Sequence, residues 1–427
     1  MKMKTIEQIA AELQGYDPGA LRADAVNEFL DRLVEPLQET ESVGVFDALG
    51  RILASDLVSP ISVPPHDNSA MDGYAFAGAQ LRAGQELSLR VVGTAYAGTA
   101  WQGSAGTGEC LRIMTGAVMP AGLDTVVPVE FTRIDGDTVT LPAGCVQPGD
   151  NRRLLGEDLM TGQPALRAGS RLGPAAQGLV ASLGLASVTV RRRPRVAFFS
   201  TGDEILSLGE APREGAVYDS NRYTLFGLLT RLGVEPIDYG AVKDDPASLE
   251  TAFRRAAAGA DVVITSGGVS VGEADHTKAI MRQLGDVAFW RIAMRPGRPM
   301  AVGRLQQDGK SSLLFGLPGN PVAVMVTFLA FVRPALLRLM GASDSAPLQV
   351  PALSQEAMRK KPGRTEFQRG IASRAADGSL QVRTTGSQGS GVLRSMAEAN
   401  CMIVLAHEQG DVQAGDRVEL LLFDGLI

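Results

Sequence analysis

Pairs of acidic residues follow three of the strands that the sequence predicts. They are Asp203 and Glu204, Asp244 and Asp245, and Glu273 and Asp275. Ligands of an open α/β sheet bind at the carboxyl ends of its strands, so these carboxylates are expected to converge on one crevice. A hard cation such as Mg²⁺ relieves the repulsion between them, and it prefers a few carboxylates together with substrate phosphate oxygens. The alternative interpretation is helix capping and surface solvation, which suits Asp245 best because Pro246 follows it.

The same crevice is expected to bind phosphate. Gly267 and Gly268 allow backbone amides to point at an anion, and the helix start at Asn320-Pro321 adds a positive dipole end. Four cationic side chains follow nearby in the chain: Lys278, Arg291, Arg295 and Arg298. Acids, cations and glycine-rich turns together indicate a phosphorylated ligand held through a metal, a site that works by positioning and charge neutralisation. A solvated strand edge is the alternative for the arginines.

A third polar segment lies far from these strands in the sequence. Residues 65–75 carry the run PHDNSAMDGYA, which places two carboxylates, an amide and a hydroxyl before Gly73. Such small polar groups are costly unless they bind a ligand or one another. An ordinary surface loop is the alternative.

Two short motifs suggest other chemistry and fit poorly. The run GVSVG at 268–272 matches the nucleophile elbow of hydrolases, but Ser270 lies about five residues beyond the predicted strand. The run GKS at 309–311 resembles the end of a P-loop, but position 304, where the first glycine belongs, is arginine. Asp308-Gly309 fits a hairpin turn better.

Length and composition limit the class of protein. The chain has 427 residues, enough for two to four domains, and 45% of them are hydrophobic. A net charge of −6 argues against nucleic-acid binding, and no apolar stretch matches a signal peptide or membrane span. Three scattered cysteines and three histidines give no disulfide or zinc pattern. We therefore expect a cytoplasmic protein with no membrane or nucleic-acid partner.

The secondary-structure pattern changes along the chain. Residues 1–18 show no clear pattern, whereas apolar residues recur at helical spacing over 19–38. Residues 60–150 are rich in glycine and short Val/Thr runs, which predicts β-structure. Strand and helix alternate over 191–340, which predicts a parallel sheet with helices on both faces. The last 80 or so residues lack helical periodicity, and Asp377-Gly378 predicts a hairpin turn.

The predicted fold class is multidomain α/β plus β. It combines a central, doubly wound, mostly parallel, Rossmann-like α/β domain with a β-rich N-terminal domain and a small C-terminal β-barrel. The predicted boundaries are 19–60 with 150–190 for a discontinuous helical and extended linking domain, 61–149 for the β-rich domain, 191–340 for the α/β domain and 345–427 for the barrel.

Several motifs in a fixed order resemble the molybdopterin molybdenumtransferase family, the MoeA type, which is related to the E domain of gephyrin. Besides the run at 65–75, they are GRILA at 50–54, RIMTGA at 112–117, GED at 156–158, STGDE at 200–204, SGGVSVGEAD at 266–275 and GLPGNP at 316–321. Two departures are visible. Arg295 and Arg298 replace the lysines usual in KPGKP, and Ala323 stands where a serine is common.

The resemblance implies a Mg²⁺-dependent molybdenum insertase. Such an enzyme hydrolyses adenylylated molybdopterin, releases AMP, and transfers molybdate to the dithiolene to form molybdenum cofactor. Its third region is the molybdopterin-binding domain. The family also implies an elongated homodimer, whose site lies between that domain and the second domain of the other subunit. The expected further partners are the molybdopterin adenylyltransferase and apo-molybdoenzymes or their chaperones.

Site residues are carried over motif by motif. The implied catalytic acids are Asp72, Asp158, Glu204, Asp244 and Asp275, of which Glu204, Asp244 and Asp275 would hold the metal. The implied substrate, phosphate and molybdate contacts are Thr115, Arg153, Ser266, Gly267, Gly268, Lys278, Arg291, Arg295, Arg298, Pro318, Pro321 and Ser390. Either Arg364 or Arg369 would act with Ser390 from the C-terminal domain.

Two other functions remain open at this point. One is a catalytically weak pterin carrier or scaffold, which loss of the acids would favour. The other is a molybdopterin adenylyltransferase, which needs only the third region.

Overall fold

The structure, a computed structural model, describes residues 4–269 and 275–426, and for Asp275 the backbone alone. Ser270 and Glu273 therefore lie outside the described residues. Within these ranges the chain forms three six-stranded sheets and several two-stranded ones.

The N-terminal segment begins with a helix that the sequence analysis missed. Its elements are α1 (Ile6–Ala11), α2 (Ala23–Leu33), β1 (Thr40–Gly44) and β2 (Leu57–Val58). A capping box between Thr5 and Gln8 starts α1, whose two isoleucines are buried. The helix predicted over 19–38 is shorter at both ends. It ends at Leu33 with Val34 in extended backbone, and Pro36 disfavours helical backbone at Glu35, so the helix does not resume there.

The β-rich domain contains β3 (Asn68–Ser69), β4 (Gly73–Phe76), β5 (Leu87–Ala95), β6 (Glu109–Ile113), β7 (Thr125–Pro128), β8 (Arg133–Asp135) and β9 (Thr138–Leu141). Six of these strands form one sheet in the order β7-β4-β6-β5-β9-β8. The chain then returns through β10 (Arg152–Arg153), β11 (Pro164–Leu166), α3 (Pro174–Ser182) and β12 (Ser187–Arg191). Because β11 pairs with β2 and β12 with β1, two segments distant in the sequence come together, and we refer to them as the linking domain.

The α/β domain contains β13 (Arg195–Thr201), β14 (Ile205–Leu206), β15 (Val217–Tyr218), α4 (Asn221–Leu232), β16 (Glu235–Val242), α5 (Pro246–Gly259), β17 (Val262–Ser266), α6 (Asp275–Leu284), β18 (Gly285–Arg291), β19 (Met294–Arg295), β20 (Pro299–Gln307), β21 (Lys310–Leu317), α7 (Pro321–Thr327) and α8 (Arg333–Leu339). Its sheet has the order β16-β13-β17-β21-β20-β18. The first four strands are parallel to one another. A tight turn at Asp308-Gly309 joins β20 to β21, so β20 runs antiparallel to β21, and it pairs antiparallel with β18 on its other side.

Both faces of this sheet are covered, as predicted. Val196 and Phe198 of β13 pack with α4 and with the helical run formed by α7 and α8, whereas Ala197 and Phe199 pack with α5. Side chains of a strand alternate between its two faces, which explains the two cores. The prediction of a doubly wound, mostly parallel α/β domain is confirmed.

One long apolar helical run crosses this core. A π-helical turn, Phe328–Val332, joins α7 to α8 without a break. By length and composition Pro321–Leu339 could cross a membrane, but 78% of its apolar window is buried inside the protein, as expected for a core helix.

The C-terminal domain contains β22 (Gln349–Ser354), β23 (Thr365–Arg374), β24 (Leu380–Thr384), α9 (Arg394–Glu398), β25 (Cys401–Leu405) and β26 (Arg417–Leu422). Its strands pair in the order β23-β24-β22-β26-β25, and β25 pairs again with β23, so that five strands close into a barrel. The predicted barrel is confirmed. In addition, β19 of the α/β domain pairs with β23, which connects the two domains through backbone hydrogen bonds.

Candidate functional site

A cavity of about 760 Å³ lies where β13, β17 and β21 end. Its walls come from the α/β domain and from the barrel. Eight of the residues predicted from the sequence line it: Glu204, Asp244, Gly267, Gly268, Arg295, Arg298, Pro318 and Ser390. Others that line it include Thr201, Asn320, Ala323, Arg364 and Gln388. The cavity is therefore the candidate site, and it lies at the sheet edge that α/β topology favours.

A glycine pair forms the floor of the cavity. Gly267 and Gly268 follow β17 with φ of +96° and +70°, a region that favours glycine. A Cβ on Gly267 would lie 2.5 Å from the Thr201 carbonyl oxygen, and a Cβ on Gly268 would lie 2.7 Å from Thr277 Oγ1. Both the backbone turn and the close approach thus require residues without side chains.

This requirement predicts an effect on stability. Gly267→Ala combines backbone strain with a steric clash and should lower the free energy of unfolding by roughly 1–3 kcal/mol. Gly84→Ala is the matched control, because Gly84 has a φ of +73° and no atom near its missing Cβ. Denaturant unfolding of both variants measures the difference. Equal losses would show that the contact with Thr201 carries no cost.

Asn221, which the sequence analysis missed, holds two walls of the cavity together. Its Nδ2 donates hydrogen bonds of 2.7 Å to Ser266 Oγ and 2.7 Å to the Gly319 carbonyl oxygen. Ser266, a predicted ligand contact, does not line the cavity: it is 2% exposed, and its hydroxyl accepts the hydrogen bond from Asn221. The position of Asn221 at the start of α4 was the only sequence signal for this role.

Two carboxylates lie on the acidic side of the cavity. Glu204 is exposed, and Asp244 is half-buried with its Oδ1 3.4 Å from Thr277 Oγ1, which donates to it. No cluster of three His, Cys, Asp or Glu side chains suited to a metal occurs among residues 4–269 and 276–426. Mg²⁺ is commonly held by one or two carboxylates plus substrate phosphates, so this pair fits it. The side chain of Asp275, the third predicted ligand, lies outside the described residues.

Arginines lie on the basic side. The pairing of β19 with β23 places Arg295 beside Glu366 and brings Arg364 to the cavity wall. Arg364 Nη2 lies 2.6 Å from Glu366 Oε1, and Glu366 is buried. The guanidinium groups of Arg295 and Arg298 form no ion pair or hydrogen bond with any described residue. They are thus available to an anionic ligand.

Arg369 is buried behind the cavity wall and binds the loop that precedes Ser390. It is 1% exposed and donates hydrogen bonds to Ser395 Oγ at 3.1 Å and to the carbonyl oxygens of Ser387 and Gly389 at 3.4 and 3.1 Å. Burial, followed by the charge of Arg295, lowers the pKa of Arg369 to about 10. Of the two arginines considered beside Ser390, Arg364 lines the cavity, whereas Arg369 holds the loop that carries Ser390.

Three predicted contacts lie outside the cavity wall. Arg291 is the exposed last residue of β18, and Pro321 is the first residue of α7, directly after the lining residue Asn320. Lys278 is half-buried on α6. Among the described residues, none of these three side chains lines the cavity.

A second predicted group lies around the β-rich domain. Asp72 Oδ1 accepts hydrogen bonds from the backbone amide and from Oγ1 of Thr115, at 2.7 and 2.6 Å. Arg153 and Asp158 are exposed on the strand and loop that pair with residues 63–69, since Arg153 pairs with Asn68 and the Asp158 amide donates to the Val63 carbonyl. Within one chain none of the four lines the cavity described above.

The Asp72 contact predicts a titration shift. The Thr115 hydroxyl, followed by the Thr115 amide, lowers the pKa of Asp72. Thr115→Val removes the hydroxyl and keeps the amide, so the pKa of Asp72 should rise part of the way to its ordinary value. Carboxyl NMR titration of aspartate-labelled protein measures it, with Thr132→Val as a control. Because the native pKa is the lowered one, the stabilisation is present above the unfolded-state pKa and is lost as the pH falls through the native value. An unchanged pKa in Thr115→Val would contradict this assignment.

Comparisons with known proteins fit this arrangement. Residues 22–184 match the family model described as MoeA N-terminal region (domain I and II), residues 197–338 match the probable molybdopterin binding domain, and residues 351–423 match the MoeA C-terminal region (domain IV). A molybdopterin molybdenumtransferase of Haemophilus influenzae is 41% identical over 404 residues, which cover 94% of this chain and 98% of that protein. The chain belongs to the molybdopterin molybdenumtransferase family.

Further relatives agree with this membership. The molybdopterin molybdenumtransferase of a Nostoc species is 37% identical and covers 96% of this chain and 95% of that protein. The crystal structure of the molybdopterin biosynthesis moeA protein from Pyrococcus horikoshii superposes with a TM-score of 0.80, at 27% identity, over 94% of this chain and all of that one. The family and the transferase class predicted from the motifs are therefore confirmed, as is the fold.

Proposed function

We propose that this molybdopterin molybdenumtransferase family member is a molybdenum insertase of molybdenum cofactor biosynthesis. It hydrolyses adenylylated molybdopterin, releases AMP and transfers molybdate to the dithiolene, with Mg²⁺ required. The observation that carries the proposal is the distribution of charge in one cavity: the carboxylates of Glu204 and Asp244 share it with the guanidinium groups of Arg295, Arg298 and Arg364.

The first step breaks a pyrophosphate bond. Water attacks one phosphorus, the bridging oxygen leaves with AMP or with the pterin phosphate, and each product carries added negative charge. Glu204 and Asp244 would hold Mg²⁺, which would neutralise part of that charge. The glycine turn at 267–268 presents backbone to the phosphates, and Asn320 at the start of α7 contributes the positive end of that helix.

The second step needs an oxyanion held near the dithiolene. Arg295, Arg298 and Ser390 offer donors from two domains across the cavity, and a guanidinium can bind a tetrahedral oxyanion through two parallel hydrogen bonds. Ala323 also lines the wall and offers no hydroxyl there. Arginine in place of lysine at positions 295 and 298 thus supplies the donors that Ala323 does not.

A homodimer would give a role to the second group of predicted residues. Asp72, Thr115, Arg153 and Asp158 are polar and exposed or solvent-facing on the β-rich side, yet they lie outside the cavity of their own chain. A partner subunit in the arrangement implied by the family would bring them to it. The adenylyltransferase of the preceding step and the apo-molybdoenzymes or their chaperones are the proposed transient partners.

The proposal is tested by mixing the purified protein with adenylylated molybdopterin, Mg²⁺ and molybdate. AMP release is followed together with reconstitution of an apo-molybdoenzyme. Both are expected, and both should require molybdate and Mg²⁺. Tight pterin binding without AMP release would favour the carrier alternative, and ATP-dependent adenylylation of molybdopterin would favour the adenylyltransferase.

A further inference from the structure

A second, smaller cavity lies away from the site described above. It has a volume of about 380 Å³ and is formed where the linking domain, the long helix and the end of the chain meet. Its walls include Gly169 and Arg171 of the linking domain, Arg333 and Leu337 of α8, and a turn at 342–348. None of these residues lines the larger cavity.

Arg333 occupies an unusual environment in this cavity. It is 9% exposed, and its guanidinium group forms no ion pair or hydrogen bond with any residue in 4–269 or 276–426. A buried charge is costly unless it is paired and hydrogen-bonded. Arg333 is the first residue of α8, and the packing of that helix places its side chain at the cavity wall.

A second arginine adds to this cost. Arg171 lines the same cavity, is exposed, and likewise has no ion-pair partner among the described residues. Burial lowers the pKa of Arg333, and the charge of Arg171 lowers it further, whereas Asp344 acts in the opposite direction. Asp344 is exposed and lies beyond ion-pair distance of both guanidinium groups, so it compensates the two charges only in part.

We propose that this cavity binds a small anionic molecule through a phosphate or carboxylate group held between Arg171 and Arg333. An oxyanion at this position would supply the hydrogen-bond acceptors that both guanidinium groups lack. The remaining wall is mixed: Leu337 and Leu426 are apolar, Ser343 and Ser345 offer further donors, and the exposed carboxylate of Asp424 lies at the end of the chain beside Asp344 on the same lining. The inference is independent of the proposed catalytic function, because it uses none of its residues.

The site also joins separate parts of the chain. The Ser343 amide donates to the Gly169 carbonyl oxygen at 3.0 Å, so the turn that closes the cavity is attached to the linking domain. A ligand that binds only the folded protein raises its stability by mass action. Occupancy of the site should therefore be visible as a rise in melting temperature.

The test uses the full chain carrying Arg295→Met and Arg298→Met, which removes the free arginines of the larger cavity. Inorganic phosphate and acetate are titrated separately by calorimetry and by thermal unfolding. We expect one binding event, weakened at least tenfold by Arg171→Met and strengthened by Asp344→Asn. Arg171 is the main target because its exposed side chain can be replaced without disturbing the core. The tighter of the two probes assigns the ligand as a phosphate or a carboxylate.

A crystallographic experiment shows where the anion binds. Crystals of the double variant soaked in arsenate should show an anomalous peak in contact with both guanidinium groups. Absence of binding by both probes, or binding that Arg171→Met leaves unchanged, would overturn the proposal. So would a loss of stability in Asp344→Asn without tighter anion binding, since this result would make Asp344 the structural counter-ion of Arg333.

Discussion

Replacing Asp244 by asparagine should lower the rate of AMP release by roughly 10²-fold or more, which corresponds to about 2.7 kcal/mol of transition-state stabilisation. Asp244 is one of two carboxylates that line the cavity among the described residues, and asparagine preserves its shape while removing its charge. The Mg²⁺ concentration needed for half-maximal rate should rise in parallel. Glu204→Gln should behave in the same way, because the two side chains share one cavity.

The adjacent residue offers a matched control. Asp245 begins α5, where its side chain accepts a hydrogen bond from the Ser248 amide, and it does not line the cavity. Asparagine is as good an N-cap as aspartate, so Asp245→Asn should leave both folding and AMP release close to wild type. If Asp245→Asn lost as much activity as Asp244→Asn, the effect would report disturbance of the loop and not loss of a metal ligand.

The parts of the site that were predictable lie next to local signals in the sequence. Gly267 and Gly268 follow a short apolar strand, and Pro246 and Pro321 mark helix starts, so strand ends and turns could be predicted from neighbouring residues. Parallel topology then places the strand ends together without further information. This is why most of the cavity floor and the acidic wall were expected.

The parts that were not predictable depend on contacts between distant segments. The pairing of β19 with β23 joins residues about 70 positions apart, and it selects Arg364 rather than Arg369 for the cavity wall. The hydrogen bond between Ser266 and Asn221, which lies 45 residues earlier, has no local signal in the sequence either. Helix α1 was missed because six residues give too short a pattern, and its isoleucines are buried against later elements.

Two substitutions of Arg298 should separate the effect of its charge on molybdate binding from the effect of its guanidinium shape. Arg298→Met should raise the molybdate concentration needed for half-maximal AMP release by about 10- to 100-fold, since a hydrogen bond to a charged group contributes about 1.5–3 kcal/mol. Arg298→Lys keeps the positive charge and a hydrogen-bond donor, so it should lose only a few-fold. Arg295→Met should resemble Arg298→Met, since both guanidinium groups face the same cavity.

The variant Arg291→Met tests whether the arginines bind molybdate by direct contact in the cavity or through their positive charge alone. Arg291 is exposed at the end of β18 and lies outside the cavity wall, so Arg291→Met removes one positive charge from the same segment without removing a lining group. If the arginines act by direct contact, the molybdate dependence of Arg291→Met should stay within about two-fold of wild type, because exposed charges are strongly screened at physiological salt. A loss equal to that of Arg298→Met would mean that the segment attracts the anion through its summed field, or that Arg291 reaches the ligand in the assembled dimer. Repeating the measurement at raised ionic strength separates these two cases, since only the summed field would weaken steeply with salt.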